Sequence, residues 1–64
     1  MARAMLEYSK QILAKVSFDA KLFCKELAKV TRLLQPHEIE EIRIFIQPLL
    51  RKNPELNRCL IYIN

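Results

Sequence analysis

Residues 19–34 read Asp-Ala-Lys-Leu-Phe-Cys-Lys-Glu-Leu-Ala-Lys-Val-Thr-Arg-Leu-Leu. Phe23, Leu27, Val30 and Leu34 recur at intervals of four, three and four, so one side of a 3.6-residue helix is apolar. Leu22 and Leu33 widen that stripe. Lys21, Lys25, Lys29 and Arg32 fall within about 80° of one another on the opposite side. Asp19 precedes the pattern and suits an N-cap, because its carboxylate can accept from the free amides of the first turn. Ser17 is an alternative cap. Phe18 and Phe23 stand at the spacing of a hydrophobic staple, which sets the angle at which the chain joins the helix. The stretch predicts an amphipathic helix over residues 20–34, packed by one face and basic on the other.

The preceding segment, from about Ala2 to Val16, has a similar pattern. Met5, Leu6, Tyr8, Ile12, Leu13 and Val16 share one broad arc, and Arg3, Glu7, Lys10, Gln11 and Lys15 share the other. After the second helix, Gln35-Pro36 ends one element and opens the next, since a proline needs no amide partner in a first turn. Glu38, Glu40 and Glu41 follow where negative charge suits the helix dipole. Ile39, Ile42, Phe45, Ile46 and Leu49 form the predicted buried face. Pro48 breaks that pattern, so the helix either ends near Ile46 or kinks there. Asn53-Pro54 marks a further start, with Asn53 as cap. Residues 55–64 predict a short helix with Leu56, Cys59, Leu60 and Ile63 inward. The apolar run from Cys59 to Ile63 also fits a strand, and helix is favoured because no second strand is evident. The expected fold is all-α: three principal helices and a short fourth C-terminal element. The first two helices form an antiparallel hairpin, with the third packed over them.

Sixty-four residues make one domain, residues 1–64. A chain of this size has a marginal core unless a disulfide, a metal or a partner adds to it. The chain has no glycine, where average usage would supply about four. That argues against a sheet of hairpins and against a glycine-rich phosphate loop. Cys24 and Cys59 are 35 residues apart and match no zinc or redox motif, so two buried free thiols are expected. The N-terminal stretch lacks the apolar run of a signal peptide, and no run approaches a membrane span. A reducing, cytoplasmic setting follows as the expectation.

Catalysis finds little support. His37 is the one histidine, in the first turn of a helix beside a proline. Nothing local pairs it with Cys24 as base and nucleophile. Glu38 and Glu41 share a helix face, but carboxylate metal sites draw ligands from several helices. No enzyme activity, no cofactor and no metal are therefore expected.

Binding is better supported. The net charge is +4, and residues 1–32 hold all of the excess, with seven Lys/Arg against three Asp/Glu. The ridge Lys21, Lys25, Lys29 and Arg32 reads first as a solvated outer face of the helix; as a binding surface it suits phosphates, an acidic partner or anionic lipid, and it has no Asn, Gln or Arg cluster to read base edges. Ile44, Ile61 and Tyr62 point away from the predicted core and suggest an interface. The expected role is a small interaction module that self-associates, with a dimer favoured, through Ile44, Ile61 and Tyr62. The alternative is a small nucleic-acid-binding regulator that uses the ridge.

Tyr8-Ser9-Lys10-Gln11-Ile12-Leu13, Val16-Ser17-Phe18-Asp19, Leu22-Phe23 and Lys25-Glu26-Leu27 together resemble a family of short uncharacterised bacterial proteins, over roughly residues 5–34. The resemblance implies a bacterial cytoplasmic protein with the same cap and staple. It implies no activity and no site. Residues after Pro36 depart from the family's pattern.

Overall fold

The chain was analysed as a computed structural model that describes residues 2–63, with side chains from Ala4 onward. The expectations for Arg3 and Asn64 lie outside what it describes. Four α-helices follow in order: α1, Ala2–Lys15; α2, Ala20–Leu33; α3, Pro36–Phe45; α4, Gln47–Lys52. A 3₁₀-helix, Pro54–Tyr62, completes them. No strand occurs among the described residues, and the fold is all-α.

Local chemistry explains most boundaries. Asp19 is extended, and its carboxylate accepts from the amides of Lys21 at 3.0 Å and Leu22 at 3.3 Å. That satisfies two of the donors a helix start leaves free. At α3, the Gln35 amide donates to Glu38 Oε1 at 3.0 Å, one half of a capping box, and this accounts for a glutamate with only 4% exposure. Pro48 has no amide to continue α3, so α3 stops at Phe45 and the chain restarts as α4 through Ile46.

The core collects one stripe from each element. Phe23, Leu27, Val30 and Leu34 are buried as the spacing predicts, with Leu6 and Leu13 from α1 and Ile42 and Ile46 around the α3–α4 junction. Leu50, Leu56, Cys59 and Ile63 close it from the C-terminal side. Between α1 and α3, Lys10 Nζ lies 3.8 Å from Glu41 Oε1 and 5.8 Å from the centre of the Phe45 ring. Arg43 Nη2 donates to the Ile63 carbonyl at 3.2 Å and ties the chain end to α3.

Several expectations are corrected. Cys24 and Cys59 are not free thiols; they form a disulfide, with Cα atoms 4.8 Å apart. The Phe18–Phe23 staple does not form: Phe23 is fully buried, but Phe18 is 76% exposed in the turn. The buried face of α1 is narrower than its apolar arc. Ser9 turns inward, where a small side chain lets helices approach, while Tyr8 is 60% exposed and Met5 is also outside. Leu22 and Leu33 are exposed, so they do not widen the stripe of α2. Asn53 occupies a cap position, but its side-chain amide donates to the Ser17 carbonyl at 3.1 Å, pinning the α1–α2 turn to the α4 end.

The C-terminal element is helical, as favoured, but it is no minor appendage. Its nine residues form the most extensive packing partner of α2. Its 3₁₀ winding puts residues three apart on one row; Leu56 and Cys59 are fully buried on that row, while Tyr62, the last residue of the element, is about half exposed at the row's end. Runs this long are uncommon. This one is held in its middle by the disulfide and at its end by Arg43.

The disulfide closes a loop with a sequence separation of 35. By the chain-entropy relation such a closure is worth about 4 kcal/mol. A domain of this length has roughly 3–10 kcal/mol of total stability, so the bond is a large share of it. Changing both Cys24 and Cys59 to Ser, or adding reductant, should lower the melting temperature followed by circular dichroism by about 15–30 °C. An unchanged melting temperature would show that the bond is not a staple. Phe18→Ser should change stability by no more than about 0.5 kcal/mol, whereas Phe23→Ala should cost about 3–5 kcal/mol.

Candidate binding groove

The basic ridge borders the seam between α2 and the 3₁₀-helix. The Asp19 cap fixes where α2 begins, and burial of Phe23, Leu27 and Val30 fixes its rotation. With those faces set, Lys21, Lys25, Lys29 and Arg32 are all exposed on the outer side. Ala20, Cys24 and Ala28 run beside them at intervals of four. These small side chains let the 3₁₀-helix approach closely. Cys59 Sγ lies 3.5 Å from the Ala20 carbonyl oxygen, and because the sulfur is disulfide-bonded it carries no proton to donate there. The distance therefore records close packing.

Along this seam lies an open groove of about 870 Å³. Ala20, Cys24 and Ala28 of α2 are part of its lining. All four ridge residues line it, and the opposite helix adds Arg58. Ile61 and Tyr62 also line it, 72% and 48% exposed. The structure thus brings the two features read separately from the sequence, the ridge and the C-terminal apolar pair, into one place. Ile44 does not join them: it is exposed on α3 and is not part of the groove.

The groove's electrostatics are one-sided. Among the described residues, five cationic side chains line it and no carboxylate side chain does. Lys29 lies 3.6 Å from Glu26, one turn back on α2. Among the described residues, Lys21, Lys25, Arg32 and Arg58 have no ion-pair partner. From Lys21 to Arg32 the charges extend about 16 Å along the helix axis. They are spread over three turns and do not converge on one point.

Arg58 was not singled out from the sequence. It belongs to the last element, and only the packing of that element on α2 places it beside the ridge. The Ala20, Cys24, Ala28 strip was readable from its spacing, since small residues at intervals of four mark a face that another helix can approach.

The other candidates for chemistry disperse. His37 is exposed at the start of α3. Glu38 is engaged by the Gln35 amide and Glu41 by Lys10. Cys24 is bonded to Cys59 and offers no thiolate. No group of three or more metal-binding side chains occurs among the described residues. No described helix is long and apolar enough to cross a membrane. Comparison of the chain with protein-family models, with curated proteins and with solved structures found no match.

Exposure in the groove predicts how mutation there behaves. Ile61→Ser combined with Tyr62→Ser should lower the stability obtained from denaturant unfolding by less than about 1 kcal/mol, as surface changes do. Leu56→Ala, on the inner row of the same helix, should cost about 2–5 kcal/mol. Comparable losses for both would mean that Ile61 and Tyr62 belong to the core and are not available to a partner.

Proposed function

We propose that this protein is a small, non-enzymatic interaction module whose working surface is the groove between α2 and the 3₁₀-helix, and that the groove takes an anionic partner. The observation that carries the reading is that five cations and two exposed apolar side chains line one groove, with no carboxylate side chain among the described residues of its lining. Cations without internal partners lose little when a carboxylate or phosphate arrives. Apolar surface held beside them makes such a contact more than a screened surface attraction.

The same placement weighs against self-association through Ile61 and Tyr62. A two-fold dimer puts the same patch of both chains face to face. Here each chain would bring its cationic cluster against the other's, and like charges juxtaposed across an interface are unfavourable. Ile44 alone is an isolated exposed apolar residue and needs no interface to explain it. The expectation of a reducing, cytoplasmic setting followed by default from the lack of a signal-peptide run and of a membrane span, and the Cys24–Cys59 bond replaces the free thiols expected beside it. A disulfide persists more readily in an oxidising compartment.

A second reading, a nucleic-acid backbone laid along the ridge, is favoured by the exposed run from Lys21 to Arg32. Such binding would be dominated by phosphate contacts and steeply salt-dependent.

Two measurements test the proposal. Light scattering at high micromolar concentration should give a monomer; a dimer dissociated by changing Ile61 and Tyr62 to Ser would restore self-association as the role. Titration with polyglutamate at low salt should move the amide resonances of residues 21–32 and 58–62 and leave those of α3 in place. Resonance changes spread evenly over the surface, or absent, would overturn the assignment of the groove.

A further inference from the structure

Resting on that reading of the groove, we infer that its occupant is one face of an acidic amphipathic helix about three turns long. Three properties of the site select this shape. The cations are arranged as a row: Lys21, Lys25 and Lys29 recur every four residues along α2, and Arg32 falls within the same arc. An α-helix carrying carboxylates every three or four residues repeats with the same rise, so successive acids meet successive bases along about 16 Å. A compact anion would use only one or two of these charges.

Apolar contact is the second property. Ile61 and Tyr62, from the 3₁₀-helix, line the same groove as the row, the first mostly and the second about half exposed. Phosphate-backbone binding gains little from an exposed isoleucine, and one tyrosine makes a poor stacking platform for successive bases. An amphipathic helix uses both walls, its acids toward α2 and its apolar residues toward Ile61 and Tyr62. Tyr62 suits the edge of such a contact, with its ring covered and its hydroxyl at the polar rim.

The third property is form. Ala20, Cys24 and Ala28 line the groove with small side chains that take up little of its space. A concave surface receives a ridge such as a helix, whereas a flat lipid surface is met best by a protruding apolar face.

The test uses the oxidised full chain and four probes: a fourteen-residue designed peptide with Glu on one face and Leu on the other, the same composition with its periodicity scrambled, a single-stranded oligonucleotide, and vesicles containing anionic phospholipid. The amphipathic peptide should bind at least about 10-fold more tightly than its scramble and become helical on binding. Ile61→Ser with Tyr62→Ser should remove that preference. Lys25→Glu with Lys29→Glu should abolish binding of both peptides, with an unchanged circular-dichroism spectrum of the protein as control. If polyglutamate still perturbs the groove but both peptides bind equally, the helical occupant is wrong and the anionic groove stands. Tighter binding of the oligonucleotide or the vesicles than of the amphipathic peptide also overturns the inference. If neither polyglutamate nor peptide engages the groove, the functional reading falls with it.

Discussion

The approach of the C-terminal 3₁₀-helix to α2 is the constraint on which the rest depends. The two elements meet at the Cys24–Cys59 disulfide, with Cα atoms 4.8 Å apart as the bond requires, and the neighbouring seam positions on α2 carry small side chains. Ala20 and Ala28 provide them. Inward of the seam, Leu56, Cys59 and Ile63 complete a core that Phe23 and Leu27 begin. Outward of it, the same contact leaves Arg58, Ile61 and Tyr62 beside the lysine row. Core and candidate site are two sides of one packing decision.

That arrangement answers the difficulty a chain of this size faces. A small domain buries too small a fraction of its surface to be comfortably stable. Three ties spanning the sequence offset this: the disulfide, the Asn53 side chain on the Ser17 carbonyl, and the Arg43 side chain on the Ile63 carbonyl. Two of them act on the C-terminal 3₁₀-helix, an element whose winding has weak intrinsic persistence. These ties add to the closure of the core within one chain.

The all-α class, the α2 stripe, the Asp19 cap and the break at Pro48 were legible in sequence because each depends on residues within one or two turns. What was not legible depends on distant partners. A spacing of 35 between cysteines carries no pairing information, and only the close approach of two helices makes the bond possible. Phe18 has the spacing of a staple, but the turn leaves its ring in solvent. Tyr8 belongs to an apolar arc wider than the surface α1 has to bury, and Ser9 turns inward in its place. The ridge was legible as a helix face. Its union with Ile61 and Tyr62 was not, because helical periodicity places residues around an axis and says nothing of which element lies alongside.

Hydrogen exchange over residues 54–63, compared between the oxidised and reduced protein, tests the central claim most directly. If the Cys24–Cys59 bond holds the 3₁₀-helix on α2, its amides should be protected in the oxidised protein and should exchange much faster on reduction, while those of Phe23 to Val30 lose less. Equal protection in both states, or free exchange of this helix in the oxidised protein, would contradict the account and remove the wall of the groove that it describes.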